Sequence, residues 1–124
     1  MLGDISGVEN LFLITGATDM RKSIDGLCAV VERVVRQDPK SNALFLFCGR
    51  RKDRIKALMY DGSGFVLIYK RLSVEGRYHW PRNGKEARNL TWQEFDWLMS
   101  GLDIEQPKAI RSNFGDALQN TSER

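Results

Sequence analysis

Histidine and cysteine are almost missing from this sequence: His79, Cys28 and Cys48 are the whole supply in 124 residues. Zinc sites draw three or four ligands mainly from those two side chains, so no metal site is expected. Both cysteines sit in apolar stretches, where a thiol behaves as a small core residue. No serine or cysteine has the neighbours of an activated nucleophile, and no cofactor motif is present. No apolar run approaches the roughly 20 residues of a membrane span. Met1–Ile5 lacks a basic segment leading into an apolar one, so no secretory leader is expected. The expected location is cytoplasmic, with no membrane contact; a reducing cytoplasm also disfavours a disulfide. No internal repeat is found.

What is present is positive charge, unevenly spread. The net charge is only +3, from 19 Lys and Arg against 16 Asp and Glu. Residues 50–88 hold eleven of those cations and four of those anions, a local balance of +7, which leaves −4 for the rest. Tyr60, Phe65, Tyr69, Tyr78 and Trp80 are interleaved with the charges. Clustered cations with aromatic side chains between them are the footprint of a surface for nucleic-acid backbone.

The apolar periodicities predict an α+β fold. It is a mainly antiparallel sheet of about five strands, with one long helix packed on it and a short C-terminal helix. Leu11–Ile14 reads as a strand. Met20, Ile24, Leu27, Cys28, Val31, Val34 and Val35 recur at helical steps. They predict a helix over residues 19–37, capped by Thr18 or Asp19 and ended before Pro39. Gly26 inside that helix is tolerable if something packs close to it. Ala43–Cys48 is apolar throughout, as suits a central strand covered on both faces.

Arg54–Tyr60 and Phe65–Leu72 read as a hairpin closed by Asp61-Gly62-Ser63-Gly64, because tight turns favour glycine and aspartate. That register sets Tyr60 against Phe65, Leu58 against Leu67, Lys56 against Tyr69 and Arg54 against Arg71 on one face. Residues 77–80 read as a further strand stopped by Pro81, and residues 82–88 as a polar loop. Thr91-Trp92-Gln93-Glu94 has capping-box spacing and opens a helix ending near Gly101. Residues 1–107 are expected to form a single domain, and residues 108–124 a polar, poorly ordered tail.

Several short motifs carry a family likeness. They are Asp19-Met20-Arg21-Lys22 with Asp25-Gly26-Leu27, and Gly49-Arg50-Arg51 with Asp53-Arg54 and Lys56. Asp61-Gly62 with Gly64, Tyr69-Lys70-Arg71-Leu72, and Gly76-Arg77 with Trp80-Pro81 complete the set. In order and spacing they resemble the Orf2 or TnpB-type accessory protein of insertion sequence family 66, over about residues 11–102. Ser23 stands where that family suggests glycine, and Tyr60 where it suggests tryptophan. The resemblance implies a role in transposition beside a separate, larger transposase of the same element. It implies no catalytic residue. The TnpB name is shared with an unrelated RNA-guided nuclease, which this sequence does not resemble.

Three functions are weighed. A non-catalytic nucleic-acid-binding factor, with DNA as the expected partner, would use Arg50, Arg51, Lys52, Arg54, Lys56, Lys70, Arg71 and Arg77 on phosphates. Tyr69 would stack. A protein–protein adaptor would dock the transposase, or a second copy of this chain, through Arg21, Lys22, Trp92 or Trp97, since arginine and aromatic residues anchor interfaces. A nuclease or strand-transfer enzyme would need carboxylates converging on paired metal ions about 4 Å apart. Asp61 and Asp19 have turn and capping roles, and Asp53 lies among arginines, so catalysis is not expected.

Overall fold

The computed structural model describes residues 5–73, 75–83, 87–101 and 104. The tail expected over residues 108–124, and the domain boundary beside it, lie outside them. The elements run β1 (Asn10–Ile14), α1 (Ile24–Val30), β2 (Ala43–Cys48), β3 (Arg54–Tyr60), β4 (Phe65–Arg71), β5 (Ala87–Leu90) and α2 (Trp92–Met99). One π-helical turn, Val31–Val35, continues α1.

The fold is α+β, with five strands in the order β4-β3-β2-β1-β5. β1 and β2 are parallel, joined across the sheet by α1, and every other pairing is antiparallel. The centre of the sheet is β2, buried at all six positions because both faces are covered. One face packs Phe12, Ile14, Phe45, Phe47, Leu58 and Leu67 under Leu27 and Val31 of the long helix. The other packs Leu11, Leu13, Leu44, Leu46, Ile55 and Ala57 under Leu98 of α2 and under Tyr78 and Trp80.

The hairpin register is the expected one: Tyr60 pairs with Phe65, Leu58 with Leu67, Lys56 with Tyr69 and Arg54 with Arg71. The turn is closed by the Asp61 carboxylate, which accepts from the Ser63 and Gly64 amides, each at 2.9 Å. Gly62 takes the left-handed φ of 99° that other residues resist. The capping box is also formed: Thr91 Oγ1 accepts from the Glu94 amide at 3.0 Å, and Glu94 Oε1 from the Thr91 amide at 2.8 Å.

Three local expectations are corrected. The long helix begins at Ile24, not at residue 19, and its N-cap Ser23 makes no side-chain bond. Asp19 spends its carboxylate on the Arg21 amide and guanidinium, and the Thr18 amide donates to the Cys48 carbonyl at 2.8 Å. Those bonds hold residues 18–22 as a loop, since short polar side chains bonded to nearby backbone compete with helix. The helix ends at Val35, with Arg36 left-handed at φ 61°.

Residues 77–80 join no strand ladder. Their alternation is real, with Tyr78 and Trp80 buried and Arg77 and His79 exposed. Single bonds tie them down: the Tyr78 amide to the Lys52 carbonyl at 2.8 Å, and Trp80 Nε1 to the Ile14 carbonyl at 2.9 Å. The fifth strand is instead Ala87–Leu90, which begins inside the expected polar loop. Pairing with the edge of β1 satisfies its backbone, so its polar side chains do not prevent a strand.

Candidate nucleic-acid interface

The strand directions bring the C-terminal ends of β1, β2 and β4 and the N-terminal ends of β3 and β5 to one end of the sheet. The segments leaving that end are residues 15–23, residues 49–53 and the crossing after β4. All three are rich in arginine and lysine. Strand topology therefore gathers the charge that the sequence spreads over nearly 70 positions, from Arg21 to Arg88.

Backbone-directed bonds fix the 49–53 loop. Arg82 Nη2 donates to the carbonyls of Gly49 and Arg50, each at 3.1 Å. Arg77 Nη1 donates to the Arg51 carbonyl at 3.2 Å, and the Lys52 carbonyl accepts from the Tyr78 amide. The Leu72 amide donates to the Asp53 carbonyl at 2.9 Å. Lys52 turns the chain with a left-handed φ of 63°. Met20 lies over Gly49 so closely that a Cβ there would sit 2.7 Å from Met20 Cγ. Three consecutive basic side chains are thus mounted on a loop that is held from both sides.

Two clefts flank this loop. One, about 540 Å³, is lined by Thr18, Asp19, Met20, Arg21, Gly49, Arg50, Arg51, Asp53 and Arg54. The other, about 490 Å³, is lined by Lys52, Arg77, His79, Arg82 and Arg88 over Trp80.

The sequence-derived residues divide as follows. Arg50, Arg51 and Arg71 are exposed at the basic end, and Arg71 stands opposite the half-buried Arg54. The Arg54 guanidinium approaches the Asp53 carboxylate at 3.5 Å. Lys56 and Tyr69 share that face, with Nζ 5.4 Å from the ring centroid; the same Nζ donates to the Lys22 carbonyl at 2.7 Å. Lys56 therefore joins the hairpin to the 18–22 loop, while half of Tyr69 remains open to solvent. Lys70 points to the opposite face, where its neighbours include Phe95 and Met99. Lys52 and Arg77 belong to the second cleft.

The residues read as partner contacts separate. Arg21 and Lys22 join the basic end. Arg21 is almost wholly exposed, and Asp19 grips it through Nε at 3.0 Å and Nη2 at 2.8 Å. Hydrogen bonds from Arg21 hold the Asp19 carboxyl well below the usual carboxylate range, so the pair stays ionised at neutral pH. Trp92 is exposed at the far end, where β5 runs into α2, and packs edge-on against Phe95. Trp97 is half-buried. Arg82 was missed: in sequence it is one more cation after a proline, and only the tertiary fold brings it to the Gly49 carbonyl.

Chemically, the arrangement offers fixed cations. Among the described residues no cluster of three His, Cys, Asp or Glu side chains could hold a metal ion. Among the same residues no helix is long and apolar enough to cross a membrane. Burial pushes the Cys48 thiol up to about 11, which keeps it protonated and unreactive.

The family described as IS66 Orf2 like protein matches residues 9–109. The uncharacterized protein y4hO of Sinorhizobium fredii (strain NBRC 101917 / NGR234) is 34% identical over 98 residues, 79% of this chain and 84% of that one. The uncharacterized protein y4jC of the same organism is 32% identical over 103 residues, 83% of this chain and 86% of that one. No solved structure matches the chain.

Proposed function

The chain belongs to the IS66 Orf2-like family, accessory proteins of insertion sequences, and we propose that it assists transposition without catalysis, by holding DNA backbone at its basic sheet end. The observation that carries this reading is the convergence of Arg21, Arg50, Arg51 and Arg54 around one cleft whose wall is a doubly clamped loop, with Arg71 opposite Arg54 in the strand ladder. Guanidinium groups bind phosphate oxygens through paired donors, and a preformed mount lowers the ordering cost of binding. Tyr69, half exposed on the same face, would contribute a stacking surface.

Catalysis is left to the element's separate transposase. Asp19 is occupied by Arg21, Asp61 by the turn, and Asp53 lies beside Arg54. The direct test is binding of duplex DNA by the parent and by Arg50→Ala/Arg51→Ala/Arg54→Ala. All three residues lie outside the hydrophobic core, so the fold should survive. Binding to unrelated sequences should weaken about equally, because phosphate contacts carry no sequence information. An unaltered affinity in a folded variant would sink the proposal.

A second reading has its own observation. Trp92 is 41% exposed at the end of the sheet away from the arginines, as an interface anchor would be. On that reading the chain docks the transposase, or a second copy of itself. Co-purification with the transposase that survives nuclease treatment and is lost in Trp92→Ala would favour it. Co-purification lost on nuclease treatment would favour the DNA reading.

A further inference from the structure

The second cleft is separate from the first and shares no lining residue with it. Four cations line it: Lys52, Arg77, Arg82 and Arg88, with His79 beside them, and among the described residues that line it none is acidic. Arg88 also meets the Glu94 carboxylate at 3.9 Å. Like charges brought together this way repel unless an anion lies among them.

Arg82 is the fixed member. Its Nη2 is committed to the carbonyls of Gly49 and Arg50. Its Nη1 is shielded from bulk water and has no hydrogen-bond partner among the described residues. A shielded guanidinium donor without an acceptor is costly, and a missing ion is one ordinary explanation for such an orphan. An acceptor arriving through the cleft would recover that cost, and the clamp on Nη2 limits the rotamers lost on binding. The left-handed turn at Lys52 places this residue in the wall of the second cleft while Arg50 and Arg51 line the first.

We propose that this second cleft is a binding site for a single phosphate group, held by Arg82 with Lys52, Arg77 and Arg88. The site is independent of the DNA-holding surface proposed above, which uses the opposite side of the same loop. Its phosphate would come either from a small phosphorylated compound or from a nucleic-acid strand, whose backbone and 5′ end present the same oxygens.

Inorganic phosphate titrated into the nitrogen-15-labelled chain tests the site. The expected response is saturable and concentrated at the Arg82 side-chain nitrogens and the amides of residues 77–83. Arg82→Gln should weaken it roughly tenfold or more, as expected for loss of charge-assisted hydrogen bonds. Because Arg82 also clamps the loop, Lys52→Asn provides a second variant: asparagine tolerates the left-handed φ and leaves the clamp intact. It should weaken phosphate binding severalfold with the remaining spectrum unchanged. Arg50→Ala/Arg51→Ala/Arg54→Ala should leave the response at Arg82 in place, so failure of the DNA proposal would not imply failure here.

Hairpin duplexes bearing a 5′-phosphate or a 5′-hydroxyl then distinguish the source. An Arg82-dependent preference for the phosphate marks a strand end, and equal Arg82-dependent binding marks backbone. A small phosphorylated compound is the source if only inorganic phosphate binds. Phosphate shifts that never saturate, or that spread evenly over all basic residues, would overturn the proposal. So would wild-type affinity in folded Lys52→Asn together with Arg82→Gln.

Discussion

Arg54 and Arg71 stand directly opposite each other in the β3–β4 ladder. Like charges facing across a strand pair are destabilising, on the order of a few tenths of a kcal/mol to 1 kcal/mol. Asp53 offsets part of this from 3.5 Å. The pair therefore opposes folding at the edge of the cleft read as the DNA surface. Arg71→Gln should raise the unfolding free energy by a few tenths of a kcal/mol while weakening duplex DNA binding severalfold. Chemical denaturation and DNA titration on one preparation check both halves. Lower stability in the variant would mean that Arg71 serves the fold instead.

Gly49 and Met20 provide a second test. An alanine Cβ at position 49 would meet Met20 Cγ at 2.7 Å, so one of the two must move. Gly49→Ala should cost about 1–3 kcal/mol, the usual range for overpacking. Met20→Ala removes the obstructing atoms. The double variant should therefore be more stable than the sum of the single effects predicts, by at least about 0.5 kcal/mol. Additive effects would show that Met20 is not what excludes a side chain at position 49.

Trp80 anchors the crossing segment through its bond to the Ile14 carbonyl. Trp80→Phe keeps a ring but leaves that carbonyl without this donor. A loss of about 1–3 kcal/mol is expected in denaturant unfolding. A change below about 0.5 kcal/mol would mean that the bond to Ile14 is not what anchors the segment.

Burial raises the Cys48 thiol from the ordinary 9.0 to about 11. A group whose folded value is raised contributes stability that is complete below its unfolded value and is lost as pH rises towards the folded one. Stability should thus fall between pH 9 and pH 11, partly through Cys48. Cys48→Ala should be less stable than the parent at pH 7 through the cavity it leaves. The gap should narrow at pH 10.5. Parallel stability curves for the two proteins across this range would contradict the assignment.

The parts of the fold that side-chain periodicity controls were legible in the sequence. β2 is apolar at every position, and the β3–β4 register follows from the Asp61–Gly64 turn and alternation. The capping box announced α2. What failed was decided by single long-range bonds. Residues 77–80 alternate as a strand does, yet their partners are the Lys52 and Ile14 carbonyls, far away in the chain. β5 is a strand because β1 offers an edge, not because Ala87-Arg88-Asn89-Leu90 has strand character. The 19–23 stretch fits a helix by spacing, but Asp19 prefers the Arg21 amide. The same limit applies to the candidate site. The basic residues were visible one by one, whereas their division between two clefts depends on the turn at Lys52 and on the Arg82 clamp.

The most direct measurement of the central claim is the salt dependence of duplex DNA binding, compared between the parent and Arg50→Ala/Arg51→Ala/Arg54→Ala. Each phosphate neutralised releases counterions and adds about 0.9 to the log–log slope. The parent should bind with a steep slope. The folded triple variant should lose roughly two to three units of it, and the two binding curves should converge as salt rises. A shallow slope in the parent, or the same slope in both proteins, would contradict the account and leave the adaptor reading in its place.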